Sequence, residues 1–386
     1  MIDKVKVQDC CLCKACSNIC PKDAISFTNE NYGFMYPQID LQACIECNLC
    51  EKVCPSIKDL KKTEFDVRAY AARSRIKDER LKSTSGGIFY EVAKYFIKNG
   101  GYVCAAVFDE DFNVVHAITN DLADLQKMRG SKYVQSDIKH SYREIKKLLI
   151  SGNKVLFCGC PCQSAGLKGY LQKDYDQLYI IDLVCHGIPS NKTFKDYLAY
   201  LNSKYKSNVV SFRFRDKSKG WHNSSVRVEF ANGKTYIRLI YEDVYMKGFL
   251  SGTTMKESCY NCKYKKFVSG SDITIGDMWG AEVTLPQMDD NTGLSGIIVN
   301  TQKGDELLKL TDSELVPFDM QDIIKYNKNI VEASKPSENR KDFYKFANEN
   351  GIANALNHFY KIKVSTKFKK NVRRVASKLY RTFLNK

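Results

Sequence analysis

The sequence predicts a small α+β domain, then a larger α/β domain, and finally a basic helical tail. Three observations carry this prediction. Nine of the sixteen cysteines lie between Cys10 and Cys54, candidate strands and helices alternate from Tyr70 onward, and the last 26 residues hold ten Lys or Arg without an acidic residue. A chain of 386 residues is also too long for one ordinary domain, so two or three domains are expected.

The composition indicates a globular protein with apolar cores. Hydrophobic residues make up 44% of the chain, and no apolar run approaches the roughly 18 residues of a membrane span. The opening MIDKVKVQDCC lacks the apolar core of a signal peptide, so a cytoplasmic location is expected. Because cytoplasmic thiols are kept reduced, sixteen cysteines indicate metal binding or catalysis rather than disulfides.

The net charge of +16 suggests an anionic partner, but the position of the charge argues against nucleic acid. The ten basic residues of 361–386 leave +6 for the first 360 residues. No base-reading motif accompanies the charge. We therefore expect no nucleic-acid binding.

Two cysteine runs in the first sixty residues share one spacing. CCLCKACSNICP and CIECNLCEKVCP each place four cysteines at x2, x2 and x3 intervals and end in proline. This spacing is that of bacterial two-cluster ferredoxins, in which the fourth cysteine of each run ligates the other cluster. A zinc site would need four ligands in two pairs, and two complete runs are hard to obtain by chance. The predicted 4Fe–4S ligand sets are Cys10, Cys13, Cys16 and Cys54 for one cluster, and Cys20, Cys44, Cys47 and Cys50 for the other.

Residues 1–60 are therefore predicted to form an α+β ferredoxin-type domain. AISF and FMYPQID are candidate short strands beside Gly33, and the charged stretch SIKDLKKTEFD is typical of a linker. Cys11 fits neither run and is expected to be a bystander.

The body of the chain alternates strand and helix patterns, which predicts an α/β domain. AYAAR, YVCAAVF, VVHAIT, KVLFCG and LYIIDLVC are candidate strands, and apolar residues from Ile88 to Ile97 recur at helical spacing. Asn232 and Gly233 lie between two alternating runs, which predicts a hairpin. SGIIVNT and KGDELLKL close the pattern with a strand and a helix.

The sequence Ser83-Thr84-Ser85-Gly86-Gly87 opens the candidate helix. Free backbone N–H groups at a helix start bind anions, and glycines let a phosphate approach closely. The alternative is an ordinary N-cap, because serine is common before helices.

Several later cysteines could meet at the strand ends of an open α/β sheet. This set is Cys162, Cys185, Cys259 and Cys262. A third 4Fe–4S cluster is the first interpretation, zinc is the second, and unliganded structural cysteines are the third. Cys104 and Cys158 lie within candidate strands and are expected to pack in the core.

The stretch RFRDKSKGWH combines clustered cations with an aromatic side chain. Such a stretch binds nucleotide cofactors or acidic substrates, and Arg215 is its candidate cofactor-binding residue. A solvated loop explains the same composition equally well.

In these motifs the chain resembles the coenzyme F420 hydrogenase/dehydrogenase beta-subunit family. STSGG, MRGSKYVQS, GCPCQSAGL, DLVCHGIPS, FRFRDKSKGW, CYNCKY and SDITIGDMWG occur in that family's order. The resemblance covers about residues 65–330, and an N-terminal ferredoxin is frequent in the family. It implies an α/β flavin-binding domain with an N-terminal part, 65–145, and a C-terminal part with the third cluster, 146–330.

The resemblance also implies the positions of the cofactors. The family's cluster cysteines fall on Cys162, Cys185, Cys259 and Cys262. A flavin-phosphate site falls on Ser85, Gly86 and Gly87, with support from Lys132. Cys160 departs from the family, which usually has a threonine or another small residue there, and is therefore an alternative ligand to Cys162.

The resemblance implies an FAD-dependent iron–sulfur oxidoreductase. Such a protein passes electrons between ferredoxin clusters, a third cluster and FAD, and to or from a two-electron organic substrate, of which coenzyme F420 is one candidate. The alternative is an electron-transfer subunit that feeds a separate catalytic partner. Either function requires a redox partner protein or a small electron donor. His186, beside Cys185, is a candidate proton donor or else a hydrogen-bonded neighbour of the cluster.

Residues 331–386 are predicted to form a basic helical C-terminal tail. In KFKKNVRRVASKLYRTFLNK the apolar residues fall on one helical face with basic residues opposite. Such a helix makes peripheral contact with an anionic membrane, or packs on the body or on a partner. Packing is the favoured interpretation.

Overall fold

The structure, a computed structural model, describes residues 1–58, 60 and 68–361. Its strands are β1 (Ile25–Glu30), β2 (Phe34–Ile39), β3 (Arg68–Ser74), β4 (Tyr102–Phe108), β5 (Val114–Thr119), β6 (Val155–Gly159), β7 (Leu178–Leu183), β8 (Val209–Asp216), β9 (Ser225–Phe230), β10 (Thr235–Leu239), β11 (Ile273–Asp277), β12 (Ser295–Val299) and β13 (Ser313–Pro317). Its α-helices are α1 (Ala15–Ile19), α2 (Leu49–Lys52), α3 (Lys77–Lys82), α4 (Ile88–Lys98), α5 (Leu122–Met128), α6 (Ser141–Ile150), α7 (Pro161–Leu171), α8 (Asn191–Tyr205), α9 (Val244–Leu250), α10 (Ala281–Thr284), α11 (Gln302–Lys309), α12 (Met320–Tyr326), α13 (Arg340–Asn350) and α14 (Ile352–Tyr360).

The N-terminal domain is built around one hairpin and two short helices. β1 and β2 pair antiparallel, with Ile25 opposite Ile39. Gly33 lies in the connection with φ +82°, a left-handed conformation that glycine adopts without strain. The helices α1 and α2 each lie within one cysteine run. The two strands predicted from AISF and FMYPQID are confirmed.

An eight-stranded mixed sheet forms the centre of the body. Its order is β13-β3-β12-β11-β7-β6-β4-β5. The four strands β4, β6, β7 and β11 run parallel, and the other pairings are antiparallel. The carboxyl ends of the parallel strands therefore share one edge, which is where side chains distant in sequence meet.

A second, smaller sheet packs with four helices in the body. β8, β9 and β10 form an antiparallel sheet, and the hairpin predicted at Asn232 and Gly233 joins the last two strands. This sheet, α8 and α9 share one hydrophobic core with Phe343, Tyr344 and Leu356 of α13 and α14. The described part of the predicted tail is thus helical and packed into the core. The basic amphipathic stretch, 362–386, lies outside the described residues.

The N-terminal domain rests directly on α7, because two glycines remove side chains from one face of that helix. A Cβ at Gly166 would lie 2.7 Å from Cys13 Cβ and 2.9 Å from its Sγ. A Cβ at Gly169 would lie 2.4 Å from the carbonyl oxygen of Val53. Real Cβ atoms do not approach that closely, so glycine at both positions permits the contact.

The RFRDKSKGWH stretch is not a solvated loop. Its first part is the end of β8, and both Arg215 and Lys217 are buried. In the part of the chain that the structure describes, no helix is long and apolar enough to cross a membrane.

Candidate functional site

The first predicted ligand set gathers at the contact between the N-terminal domain and the body. Cys13, Cys16 and Cys54 are buried, and Cys10 is partly buried. Burial, and to a smaller extent the neighbouring thiols of Cys11 and Cys54, raise the pKa of the Cys10 thiol to about 12. A bound metal would reverse this effect, because it holds cysteine as thiolate.

The second predicted set lies on the outer side of the same domain. Its four members, Cys20, Cys44, Cys47 and Cys50, all line one small cavity of about 20 Å³. Cys47 is exposed to solvent, in contrast to the buried members of the first set. Each group of neighbouring cysteines therefore contains the fourth cysteine of the opposite run, which is the crossed arrangement that the spacing predicts.

The two runs also share their backbone conformation. Leu12 and Lys14 have positive φ, and so do Glu46 and Asn48 at the equivalent positions of the second run. Left-handed residues in such loops turn successive N–H groups inward, and such nests are common at iron–sulfur sites. None of these four residues is a glycine, so both loops are conformationally strained.

Cys11 is not an isolated bystander. Its buried thiol is within hydrogen-bonding reach of Cys13 and Cys162, and the hydroxyl of Tyr264 donates to its sulfur at 3.3 Å. Tyr264 also shares a 3.0 Å hydrogen bond with Ser56 Oγ. Cys11 therefore lies between the N-terminal cysteines and the later set.

The later cysteines meet at the carboxyl edge of the sheet. Cys160 and Cys162 begin α7 directly after β6, and Cys185 follows β7. The Cys160 and Cys185 thiols are hydrogen-bonded, which is the main reason that the pKa of Cys185 is lowered to about 6. Cys162 is instead hydrogen-bonded to Cys11.

The remaining pair comes from the CYNC segment, in which Cys259 ends a short 3₁₀ turn (Glu257–Cys259) and Cys262 follows it. Both Cys259 and Cys262 lie close enough to Cys185 for their charges to interact. The structure thus brings together five later cysteines, and Cys160 is as well placed beside Cys185 as Cys162 is. Cys104 and Cys158 are buried in strands, as predicted.

One cavity of about 230 Å³ connects these cysteines to the glycine-rich turn. At one end it is lined by Ser85, Gly87 and Lys132. At the other end it is lined by a group of side chains from several chain segments. These are Cys11, Cys160, Cys162, Cys185 and His186.

The glycine-rich turn is held in place by the sheet and by the β8 segment. Gly87 has φ +88° and is the N-cap residue of α4, and the first turn of that helix, with its free N–H groups, lines the cavity. Ser85 Oγ donates to Asp277, and the Ser85 carbonyl accepts from Lys217 Nζ at 2.7 Å. Gly86 packs against β3, where a Cβ would lie 2.4 Å from the Ala72 carbonyl oxygen.

Lys132 supplies a cation at the same end of the cavity. Its Nζ donates to the carbonyl oxygens of Arg129 and Gly130, both at 3.1 Å. Burial lowers the pKa of Lys132 to about 7. An anion in the cavity would favour its charged form.

Arg215 lies behind the cavity wall. It forms an ion pair with Asp277 at 3.0 Å and donates to the Tyr133 hydroxyl at 3.1 Å, and both partners line the cavity. Its guanidinium also lies 5.3 Å from the Trp279 ring centroid. Its contacts are therefore with the lining, and its predicted cofactor contact would be indirect.

His186 is held at the cluster end of the cavity. Its Nδ1 lies 3.2 Å from Asn329 Oδ1 and 3.1 Å from Ser334 Oγ. Its ring packs edge-on against Phe249 at 5.1 Å. Burial lowers the pKa of His186, so the imidazole is largely neutral at pH 7.

Sequence reasoning missed Asp277, Lys217 and His116. His116 lines the cavity from within β5, stacks on Phe157 at 5.4 Å, and has its pKa lowered to about 4 by burial. Its Nδ1 lies 2.7 Å from Ser136 Oγ. A histidine inside an apolar strand was the available signal. Lys217 lies in RFRDKSKGWH and Asp277 in SDITIGDMWG, but nothing local singled out either residue within its motif, because their partners Ser85 and Arg215 are distant in sequence.

Two family models match the chain. Residues 152–319 match the model for the C terminus of the coenzyme F420 hydrogenase/dehydrogenase beta subunit. Residues 9–57 match the model of the 4Fe-4S dicluster domain. No curated protein matches the chain.

Among solved structures, the chain is similar to one from the F420-reducing [NiFe] hydrogenase complex of Methanosarcina barkeri, determined in a xenon-derivatization study. The two are 18% identical, with a TM-score of 0.44. The likeness covers 78% of this chain and 91% of the other.

Proposed function

Because the chain belongs to the coenzyme F420 hydrogenase/dehydrogenase beta-subunit family and carries a 4Fe-4S dicluster domain, we propose that it is an FAD-dependent iron–sulfur oxidoreductase. It exchanges electrons between a redox partner and a two-electron organic substrate. One observation carries the proposal. A single cavity is lined at one end by the glycine-rich helix start and at the other by cysteines of both the N-terminal domain and the body.

The N-terminal domain holds two 4Fe–4S clusters. Their ligands are the two sets that the crossed spacing predicts, one partly exposed and one buried against α7. The exposed set is the side that a protein or small-molecule donor can reach. The buried set adjoins the cavity through Cys11 and Cys13.

The later cysteines hold a third 4Fe–4S cluster. Cys185, Cys259 and Cys262 supply three ligands, and the fourth comes from the start of α7. Family position favours Cys162, whereas the hydrogen bond to Cys185 favours Cys160. Four thiolates fit a 4Fe–4S cluster, and a structural zinc ion is the alternative occupant of such a set.

Ser85, Gly87 and Lys132 would hold the phosphates of FAD, because free N–H groups and a cation complement an anion. Bound there, the flavin supplies the ability to accept electrons singly and to exchange them in pairs. Gly86 keeps the turn against β3, and Arg215 fixes Asp277. Apolar side chains, among them Ile88, Met128 and Val134, line the same cavity.

His186 is the proposed proton donor at the cluster end, and it takes up a proton before it donates one. Its Nδ1 hydrogen bonds fix the ring, and its neutral state at pH 7 lets the imidazole accept a proton.

Coenzyme F420 is the substrate that the family name favours, because it is a two-electron acceptor. We also propose that the basic tail, residues 362–386, makes contact with an anionic membrane surface.

The test compares electron delivery in two cysteine variants of the holoprotein. Cys185→Ser removes a central ligand of the third cluster, whereas Cys104→Ala removes a buried cysteine within β4 that we place in no site. Dithionite or a reduced ferredoxin is added anaerobically, and flavin reduction is followed by its absorbance. We expect Cys104→Ala to resemble the wild type. We expect Cys185→Ser to lose about four irons and to slow flavin reduction by the protein donor at least tenfold.

Equal flavin reduction by Cys185→Ser would contradict a role for the third cluster. Flavin reduction without turnover of coenzyme F420 or any organic acceptor would favour the electron-transfer subunit instead. A wild-type chain that binds no FAD after reconstitution would contradict the enzyme proposal.

A further inference from the structure

Lys217 is buried directly behind the glycine-rich turn. The residue is 7% exposed, an unusual condition for a lysine. Its Nζ donates to three backbone carbonyl oxygens, those of Arg80 at 2.8 Å, Ser85 at 2.7 Å and Thr292 at 2.7 Å. Three acceptors match the three N–H donors of an ammonium group. One buried cation therefore joins three chain segments, one of which is the turn itself.

The residue after Thr292 leaves room for this contact. Gly293 has φ +119°, which glycine adopts without strain. A Cβ at this position would lie 2.4 Å from the Ser85 carbonyl oxygen and 2.5 Å from Lys217 Nζ. Because real Cβ atoms do not approach that closely, glycine is required here for the contact between Lys217 and Ser85.

The next peptide of the turn directs an N–H group away from the sheet. The Gly86 N–H donates to Ser295 Oγ at 3.0 Å, and the Gly86 carbonyl accepts from the Ser74 N–H of β3 at 2.7 Å. The Gly86–Gly87 peptide is trans, so the Gly87 N–H points opposite to that carbonyl. Gly87 lines the cavity. Its N–H group therefore faces away from β3, on the side where an anion would bind.

The contact with Lys217 has an electrostatic consequence for the turn. The Ser85 carbonyl oxygen carries a partial negative charge, which would repel a phosphate. Lys217 binds this oxygen on the side away from the cavity, so the turn presents N–H groups rather than a carbonyl to an anion. A site that is already oriented binds more tightly, because less ordering is needed when the ligand arrives.

We propose that Lys217 is a positioning residue that keeps the glycine-rich turn open to a phosphate group, and so makes the cavity select a phosphorylated flavin over riboflavin. Lys217 acts through the Ser85 carbonyl and not by contact with the phosphate. This inference rests on the proposed FAD site and names what determines its specificity.

The experiment measures binding of FAD, riboflavin and inorganic pyrophosphate by calorimetry, on the full chain with its clusters assembled anaerobically and its flavin removed. Riboflavin has the flavin ring without phosphate, and pyrophosphate has the anion without the ring. Burial lowers the pKa values of Lys217 and Lys132 to about 7, so titrations at about pH 6 keep both side chains charged.

Two variants disturb the same contact in different ways. Lys217→Met removes the ammonium and keeps an unbranched side chain, whereas Gly293→Ala keeps every charge and displaces the turn sterically. Lys219→Met is the matched control, because Lys219 is an exposed lysine of the same stretch. Tyr197→Phe is the stability control, because it removes a buried hydrogen bond in the hydrophobic core around the smaller sheet.

We expect Lys217→Met and Gly293→Ala to weaken binding of FAD and of pyrophosphate about tenfold, because each frees the Ser85 carbonyl. Riboflavin affinity should stay unchanged. Lys219→Met should bind all three molecules like the wild type, and Tyr197→Phe should lower the unfolding temperature without changing any affinity.

Unchanged FAD affinity in Lys217→Met would overturn the proposal. So would an equal loss of riboflavin affinity, or the same loss of FAD affinity in Tyr197→Phe, since either result indicates a general role in stability. If Lys217→Met does not fold, Gly293→Ala decides by the same criteria.

Binding by the wild type separates this inference from the proposed function. A wild type that binds pyrophosphate through Lys217 but binds no FAD would contradict the flavin enzyme and support the role of Lys217 in the turn. FAD binding that Lys217→Met leaves intact would overturn the inference alone. A wild type that binds neither FAD nor pyrophosphate would overturn both.

Discussion

The two N-terminal cysteine runs have the same spacing and the same pattern of left-handed residues, yet their surroundings differ. Cys13 and Cys16 are buried, and Cys13 packs on Gly166 of α7. Their counterparts Cys47 and Cys50 lie on the outer side, where Cys47 is exposed. Two loops of the same local conformation therefore have different surroundings, because only the first packs against α7.

Two apolar side chains, one just before the second run and one within it, are exposed to solvent. Leu41 and Ile45 are 72% and 57% exposed. The buried run instead contacts the cavity through Cys11, which has no counterpart cysteine in the second run, since Ile45 occupies the equivalent position. The N-terminal domain therefore has an exposed outer side and an inner side that packs on the body.

Pushing the buried run away from α7 should remove most of the difference between the two runs. Gly166→Ala would place a Cβ within 2.9 Å of Cys13 Sγ, so the N-terminal domain must shift. Alanine normally stabilises a helix relative to glycine by about 1 kcal/mol, but overpacking costs about 1–3 kcal/mol. We expect a net loss of stability and slower flavin reduction, measured by thermal unfolding and stopped-flow absorbance.

Lys168→Ala on the same helix is the matched control, because Lys168 contacts Asp174 rather than the cysteine runs. A stabilised Gly166→Ala protein with unchanged flavin reduction would show that the close contact is unimportant.

The inner side should also show a pH dependence of anion binding that the outer side lacks. Burial lowers the pKa of Lys132 to about 7 from the 10.5 of an exposed lysine. The unfolded chain therefore binds this proton more tightly than the folded chain, so the free energy of unfolding decreases as pH falls from about 10.5 to 7. A bound phosphate offsets this loss, because it raises the pKa of Lys132. FAD affinity should fall by up to about tenfold per pH unit above pH 7. Calorimetric titration at pH 6 to 9 measures this slope.

Lys132→Met should bind FAD more weakly at pH 6 and with little pH dependence. The same pH slope in wild type and Lys132→Met would assign the titration to another group.

A more modest difference between the two runs should appear on exposure to air. The cluster on the exposed run should lose iron several-fold faster than the cluster on the buried run, because oxidant reaches Cys47 directly. EPR spectra taken at intervals, with Cys47→Ser used to assign the exposed cluster, measure the two rates. Equal rates would mean that burial of Cys13 and Cys16 gives no protection.

Local sequence patterns predicted which strands and helices form and which residues belong to the candidate site. They predicted much less about which of these residues contact one another. The crossed ligand sets followed from spacing alone, and the later set followed from the meeting of strand ends at one sheet edge. The hydrogen bonds of Cys160 with Cys185 and of Cys162 with Cys11 could not be predicted. They depend on how α7 and the N-terminal domain pack.

The same limit applies to charged residues. Lys217 and Arg215 were equally compatible with a solvated loop, because their partners Ser85 and Asp277 lie far along the chain. Lys256 carried no signal at all, since its burial exists only once β2 covers it. Contacts between residues so far apart in sequence cannot be predicted from periodicity or residue spacing.

Iron and released flavin, measured on one anaerobically purified sample of the full chain, decide whether three clusters lie beside a flavin. About twelve irons and one FAD per chain are expected, because each 4Fe–4S cluster contributes four irons. About eight irons without flavin, even after reconstitution, would contradict the proposed function.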